Sequence, residues 1–350
     1  MKFGLFYQLP CTPWQSERER YRDTLAQIEH GDHLGFDTAW LAELHFVPEF
    51  SIMSAPLVVA AAAAQRTSRI RLGMAVSLLP LSDPIRTAEE AATVDILSDG
   101  RLVFGVGRGT NPTQYGGFNI PMIESRDRFN EALDIITKAW STERVTYDGK
   151  YYKLKDVAIH PKPIQKPHPP IRIATNSSDT FPLAGRLGYP MFTSLVVVPL
   201  PRFRRDLAVY WQAFEEAGHQ RTGEEIAMLF PVYVAETEEE ARSVPRDSIM
   251  HYFEVVARRM TAGDAELDAA TRDRNKEMQA RLQRLTFEEV RENVAVIGTP
   301  EHCIERIKWL REEFGLAELI CWFNPGGLMP SETVLRSMDR FVARVAPTLR

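Results

Sequence analysis

The chain has 350 residues, of which 44% are hydrophobic and 25% charged, and its formal net charge is −5. These values are ordinary for a globular protein and give no overall positive field that would attract nucleic acid. The sequence has no apolar run of about 18 residues, so we predict no transmembrane helix. The cysteines Cys11, Cys303 and Cys321 are far apart, which is typical of reduced thiols in a cytoplasmic protein rather than of a disulfide framework.

Short apolar runs alternate with longer amphipathic stretches along most of the chain. The apolar runs predict buried strands at 2–8, 38–43, 70–77, 102–106, 171–175, 191–196, 228–235 and 318–323. The amphipathic stretches predict helices at 17–34, 51–66, 84–97, 126–140, 183–187, 202–217 and 299–313. Strands joined by helical crossovers indicate a parallel sheet, and this number of strands closes a (β/α)8 TIM barrel. An open, doubly wound sheet is the alternative.

Two segments do not fit a bare barrel. Asp148-Gly149, inside 145–155, is typical of a hairpin turn. The segment 248–290 is long, charged and helical, and predicts an inserted helical arm. This arm is either a solvated excursion on the surface, or a dimer contact or lid over the barrel mouth. We therefore predict that 1–350 form a single α/β domain, a TIM barrel with an inserted hairpin and a helical arm.

The carboxyl ends of the strands are where a β/α barrel keeps its working residues. The second strand leads into Glu43 and His45, which a period of two places on one face. A carboxylate beside an imidazole suits acid–base chemistry or the polarisation of a ligand. The same pair is also typical of a structural ion pair at a barrel rim.

The fourth strand runs into Gly107-Arg108-Gly109, which is not a dinucleotide fingerprint because Thr110 stands where a third glycine is needed. Glycine allows close backbone approach to a ligand, and Arg108 offers positive charge to an anion. The glycines are equally compatible with ordinary turns.

The fifth strand runs into an Asn-Ser-Ser-Asp-Thr segment at 176–180, directly before a predicted helix. Hydroxyl and amide groups at a helix N-terminus favour phosphate, although simple helix capping uses the same residues. Asp179 would disfavour a phosphate unless its side chain points away to cap the helix.

Other common catalytic patterns are missing from the sequence. The histidines show no zinc-binding spacing, so no metal site is predicted. The GxSxG and HExxH motifs are absent, which leaves serine hydrolases and zinc proteases without support.

Several segments together resemble the bacterial luciferase-like, flavin-dependent monooxygenase family. Between Arg71 and Gly109 they read RLGMAV, LPLSDPIR, AEE, DILS and GRLVFGVGRG in that order. Further matching segments are SR at 125–126, PKPIQ at 161–165, VIGTPE at 296–301 and WFNPGGL at 322–328. The resemblance covers nearly the whole chain, and it implies the barrel fold.

The resemblance also implies a cofactor and a reaction. The expected cofactor is FMN, taken up reduced from a separate flavin reductase, and O2 then serves to oxidise a small, partly apolar organic substrate. Ala75 and Gly107 match positions near the flavin ring, whereas Arg108, Arg126 and Ser178 match positions near its phosphate. The other residues expected at the cofactor are Ala174, Asn176, Ser177 and Thr180. We expect a cytoplasmic homodimer that binds neither nucleic acid nor membrane.

The sequence departs from the family at one catalytic position. Glu43 and His45 match two members of its Glu-His-His signature, but Leu44 replaces the middle histidine, which in luciferase is tied to catalysis. Either His45 substitutes for it, or no base is needed there. Two other functions fit the same sequence: a dehydrogenase using coenzyme F420 or flavin without oxygen, and a flavin-binding protein without turnover.

Overall fold

The computed structural model describes residues 1–109, 111–196, 198–259 and 269–350. The strands are β1 (Lys2–Tyr7), β2 (Thr38–Leu41), β3 (Arg71–Met74), β4 (Ser77–Leu78), β5 (Leu102–Gly107), β6 (Val145–Asp148), β7 (Lys153–Val157), β8 (Ile171–Ala174), β9 (Met191–Ser194), β10 (Ile226–Val234), β11 (Val296–Gly298) and β12 (Glu318–Trp322). The helices are α1 (Glu17–Leu34), α2 (Pro56–Ala64), α3 (Pro84–Leu97), α4 (Pro112–Gly117), α5 (Ser125–Ser141), α6 (Thr180–Leu187), α7 (Leu200–Glu216), α8 (Glu238–Ser243), α9 (Arg246–Arg259), α10 (Ala269–Arg284), α11 (Phe287–Asn293), α12 (Pro300–Phe314) and α13 (Ser331–Arg340).

Parallel strands close into a ring in the order β1, β2, β3, β5, β8, β9, β10 and β12, and β12 pairs with β1. The predicted TIM barrel is therefore confirmed, and the open sheet is excluded. The predicted hairpin is present as the antiparallel pair β6–β7. The run predicted as one strand at 70–77 is divided: β3 ends at Met74, and β4 pairs separately with β5.

Local sequence explains where several helices begin. Ser16 and Glu19 form a reciprocal capping box at the start of α1. The Asp83 side chain accepts a hydrogen bond from the Arg86 amide at the start of α3, with Pro84 in the first turn. No helix among the described residues is long and apolar enough to cross a membrane.

The lower half of the barrel is filled by Trp40. A Cβ atom on Gly73 would lie 2.4 Å from the indole, and one on Gly4 would lie 2.8 Å from it, so both strands leave room for this ring. The indole Nε1 donates to Glu318 Oε1 at 2.7 Å, and Arg172 Nη2 lies 3.6 Å from Glu318 Oε2. Burial raises the pKa of Glu318. Space for a ligand therefore lies above Trp40, at the carboxyl ends of the strands.

The predicted arm is largely helical where it is described. The helix α9 buries one face, and the Tyr252 ring on that face meets Trp322 edge-on at 4.6 Å. Ser248 Oγ donates to Asn324 Oδ1 at 3.1 Å, in the loop that follows β12. Residues 260–268 of the predicted arm lie outside the described residues. The α9 part is thus packed over one side of the barrel mouth and is not a solvated excursion.

Candidate active site

The loops after β5 and β8 bring an arginine-rich group together. These strands are parallel neighbours, with Val106 opposite Ile173, so their following loops leave the same edge side by side. Arg108 Nη2 donates to Ser177 Oγ at 2.8 Å. We call Arg108, Arg126, Ser177, Asp179 and Thr180 the Arg108 cluster.

Asp179 lies at the centre of the Arg108 cluster. Arg108 Nη2 lies 3.0 Å from Asp179 Oδ2, and Arg126 Nη2 lies 2.6 Å from the same oxygen. Burial opposes ionisation of Asp179, but a hydrogen bond from Ser177 and the two arginine charges outweigh it, and the pKa of this carboxyl is lowered. The sequence favoured a phosphate here only if Asp179 pointed away to cap α6; its side chain instead makes no capping bond and faces the two arginines.

The predicted residues of the 176–180 turn divide between two neighbourhoods. Ser177 Oγ lies 2.7 Å from Thr180 Oγ1, inside the Arg108 cluster. Ser178 Oγ instead donates to Asp206 Oδ2 at 2.9 Å. Asn176 uses its carbonyl oxygen to accept from Arg202 Nη2 at 2.8 Å. The structure therefore separates Ser178 and Asn176 from Ser177 and Thr180, which lie in the Arg108 cluster.

The loop after β5 contributes residues that sequence reasoning missed. The Tyr115 hydroxyl donates to the Arg108 carbonyl oxygen, and Tyr115 lies on α4. Burial raises the pKa of Tyr115 to about 12, so this donor keeps its proton at neutral pH.

Asp206 and Arg202, which pair at 3.1 Å on α7, were also missed. Their positions far along the chain gave no local signal.

Small side chains lie at the carboxyl ends of β3 and β8. Ala75 and Ala174 are partly exposed at the top of the barrel interior and pack on a cluster that includes Trp40 and Phe192. A Cβ atom on Gly107 would lie 2.7 Å from Val76 Cγ2. This glycine was expected to allow approach to a ligand, and within the chain it allows close contact between β5 and the segment after β3.

Glu43 and His45 form a second polar group at the barrel mouth. The strand β2 ends at Leu41, so both residues lie in the following loop rather than on one strand face. His45 Nε2 lies 3.1 Å from Glu43 Oε1, and Glu43 Oε2 accepts from the Leu78 amide at 2.9 Å. The Phe118 ring meets the His45 ring edge-on at 4.8 Å. The pair is therefore fixed in position and mostly covered.

The two polar groups share one edge of the barrel. Leu78, whose amide binds Glu43, lies on β4 and is paired with Gly107, directly before Arg108. This edge thus combines two guanidinium groups, small side chains at the strand ends, and an oriented imidazole.

Comparison with known proteins identifies the family of the chain. The sequence model of the luciferase-like monooxygenase family matches residues 1–318. The chain belongs to this family. The members of this family to which the chain is similar are monooxygenases. The predicted family and the flavin-dependent oxidoreductase class are therefore confirmed.

Individual relatives of this luciferase-like chain extend along most of its length. The alkanal monooxygenase alpha chain of a Kryptophanaron alfredi symbiont is 27% identical over 357 residues, covering 100% of this chain and 99% of that one. The limonene 1,2-monooxygenase of Rhodococcus erythropolis is 31% identical over 302 residues, covering 83% and 72%. The crystal structure of monooxygenase RslO1 from Streptomyces bottropensis matches with a TM-score of 0.82 and 27% identity over 100% of both chains.

The residues of this luciferase-like monooxygenase fit a phosphorylated flavin. Two guanidinium groups and two hydroxyls converge in the Arg108 cluster, which is the donor chemistry that a phosphate monoester requires. Ala75 and Ala174 carry small, partly exposed side chains at the top of the barrel interior, which is compatible with a flat ring above them.

Proposed function

We propose that the chain is an FMN-dependent monooxygenase that uses reduced FMN and O2 to oxidise a small, partly apolar organic molecule. The observation that carries the proposal is the Arg108 cluster, which lies at the same end of the barrel as the small side chains of Ala75 and Ala174. FMN ends in a phosphate and riboflavin does not, so the cluster would distinguish the two. When bound, FMN would supply the reducing electrons and the oxygen chemistry.

The protein's own residues would bind the cofactor, orient it and shield it from water. Arg108, Arg126, Ser177 and Thr180 would hold the phosphate, as charge-assisted donors do. Gly107, Ala75 and Ala174 would leave space for the ring, as the resemblance implies. The roles of Asn176 and Ser178 would be indirect, since both shape the turn that presents Ser177.

Glu43 and His45 would handle a proton. Because His45 Nε2 faces the Glu43 carboxylate, the proton of a neutral imidazole is held on Nε2 and Nδ1 is left to accept another. The rings of Phe46 and Phe118 lie 5.6 Å and 4.8 Å from the His45 ring and would exclude water from it. In this proposal His45 takes the place of the histidine that Leu44 replaces.

The opposite side of the mouth supports a partly apolar substrate. β1 and β12 lie across the ring from β5 and β8, and they end in aromatic residues. The Phe6 ring meets Trp322 edge-on at 5.3 Å, and Trp322 in turn meets Tyr252. An alkanal and limonene, named for the two relatives above, are molecules of this kind.

The proposed partners rest on exposure at the surface. The Arg126 side chain is 61% exposed, so the phosphate end of the site is open to solvent and suits a flavin that arrives from a separate reductase.

The helix α2 has no charged residue, and Val58 on its outer face is 69% exposed, which favours burial in a homodimer. The free thiols Cys11, Cys303 and Cys321 suit a cytoplasmic location.

Oxygen dependence tests the proposed function. The purified enzyme, loaded with chemically reduced FMN, is expected to oxidise an aldehyde, ketone or terpene with uptake of O2 and to leave it unchanged under nitrogen. Equal conversion under nitrogen, or turnover with F420 in place of FMN, would replace the monooxygenase with a dehydrogenase on the same barrel.

His45→Asn is expected to reduce product formation while the Kd for FMN stays the same, because His45 lies outside the Arg108 cluster.

A pair of serine substitutions tests the phosphate site. Ser177→Ala is expected to weaken FMN binding by about 0.5–1.5 kcal/mol, since it removes the hydroxyl that contacts Arg108. Ser178→Ala is expected to leave the Kd almost unchanged, because Ser178 donates to Asp206 instead. Fluorescence titration with FMN measures both values, and a larger loss in Ser178→Ala would contradict this assignment.

A further inference from the structure

Asp179 and a flavin phosphate need the same donors. One nitrogen of Arg108, Nη2, serves Ser177 Oγ and both carboxylate oxygens of Asp179, at 2.8, 3.1 and 3.0 Å. Arg126 also uses its Nη2 to reach Asp179 Oδ2. This guanidinium nitrogen has two hydrogens, so a phosphate oxygen can bind Arg108 Nη2 only where one of its present contacts to Ser177 or Asp179 is given up.

The charges point the same way. Two arginines and one ionised aspartate leave the Arg108 cluster with a single net positive charge, whereas the phosphate it would receive carries nearly two negative charges. The pKa of Asp179 is lowered, so the carboxylate remains charged at neutral pH. Phosphate and carboxylate would repel each other if both stayed on the arginines.

Among the described contacts, the Asp179 side chain makes none outside the Arg108 cluster. It occupies the residue before α6, but its side chain makes no capping bond there. The neighbouring Asp206 differs, because it is buried and holds Ser178 and Arg202. Asp179 is about one-third exposed and can turn to solvent without leaving a buried donor unpaired.

We propose that Asp179 is an internal counter-ion that exchanges with the flavin phosphate on Arg108 and Arg126, and so weakens cofactor binding and speeds cofactor release. The inference rests on the proposed function, since it requires a phosphorylated flavin at this site. It gives the open phosphate end a purpose: an enzyme that receives reduced flavin from elsewhere must also release the oxidised form. As the phosphate leaves, the carboxylate returns to the arginines and offsets the repulsion between their charges.

Binding and release measured with FMN and riboflavin test this exchange. Asp179→Asn keeps the shape of the side chain and removes its charge, and it is expected to lower the Kd for FMN about three- to ten-fold, with a slower off-rate. The Kd for riboflavin is expected to stay constant. Asp179→Ser is a second neutral variant, with a side chain common before helices. Asp134→Asn is the matched control, because it removes the same charge from an exposed pair with Lys138 on α5.

The outcomes separate two failures. If the wild type prefers FMN to riboflavin but neither Asp179 variant binds FMN more tightly, the counter-ion proposal is overturned and the phosphate site stands. If the wild type does not prefer FMN to riboflavin, the phosphate site itself fails and the counter-ion proposal fails with it. Tighter FMN binding in Asp134→Asn as well would show a general charge effect and would also overturn the proposal.

Discussion

Replacing Arg108 with alanine is expected to weaken FMN binding by about 1.5–3 kcal/mol, which is about a 10- to 150-fold rise in Kd. The substitution removes the guanidinium that bridges Ser177 and Asp179, and it leaves Asp179 with Arg126 alone to offset its charge. The remaining pair of Arg126 and Asp179 would then have no net positive charge to offer a phosphate. Isothermal titration with oxidised FMN measures the change.

Riboflavin provides the internal comparison for Arg108→Ala, because it has the ring of FMN and lacks the phosphate. Its affinity is expected to be nearly unaffected. Arg144→Ala is the matched control, since Arg144 is an exposed arginine that pairs with Asp156 in the hairpin. Equal losses for FMN and riboflavin would show that Arg108 supports the ring or the fold rather than the phosphate.

Trp40→Ala is expected to destabilise the protein by about 3–5 kcal/mol, because it empties the centre of the barrel. The indole fills space that Gly4 and Gly73 leave open, and neighbouring backbone in closed strands cannot move in to replace it. The substitution also removes the Nε1 donor from buried Glu318. We expect a clear fall in the urea midpoint of unfolding.

The control for Trp40→Ala is the same substitution at an exposed site. Trp14 is 74% exposed, so Trp14→Ala is expected to change stability by no more than about 0.5 kcal/mol. Trp40→Phe should lie between the two, since it keeps most of the volume and loses the hydrogen bond. Similar midpoints for Trp40→Ala and Trp14→Ala would contradict the packing role assigned to this residue.

The sequence predicted the ring strands because each contains a short, mostly buried run, and such runs need no distant information. Shorter elements were missed. The strand β11 has three residues and the helix α4 has six, which is too few for either periodicity to be visible. The boundary of β2 was placed two residues late, since Ala42 and Glu43 continue its pattern although pairing stops at Leu41.

The sequence placed Arg108 and the 176–180 turn at one end of the barrel, but it could not predict their contacts. Arg108 and Ser177 could be placed together because β5 and β8 follow each other around a barrel. The direction of Asp179 could not be foreseen, since capping and ion pairing both suit an aspartate before a helix, and the choice depends on Arg126, 53 residues away. The turn of Ser178 towards Asp206 depends in the same way on α7.

The short helix α4 joins the two ends of the candidate site. Tyr115, on this helix, holds the carbonyl of Arg108, and Phe118, the residue that ends it, covers His45. A rigid shift of α4 that opens access to the imidazole must therefore also pull on the backbone of the arginine. If the proposed function holds, access to the imidazole and the position of the Arg108 backbone would both depend on the same six residues.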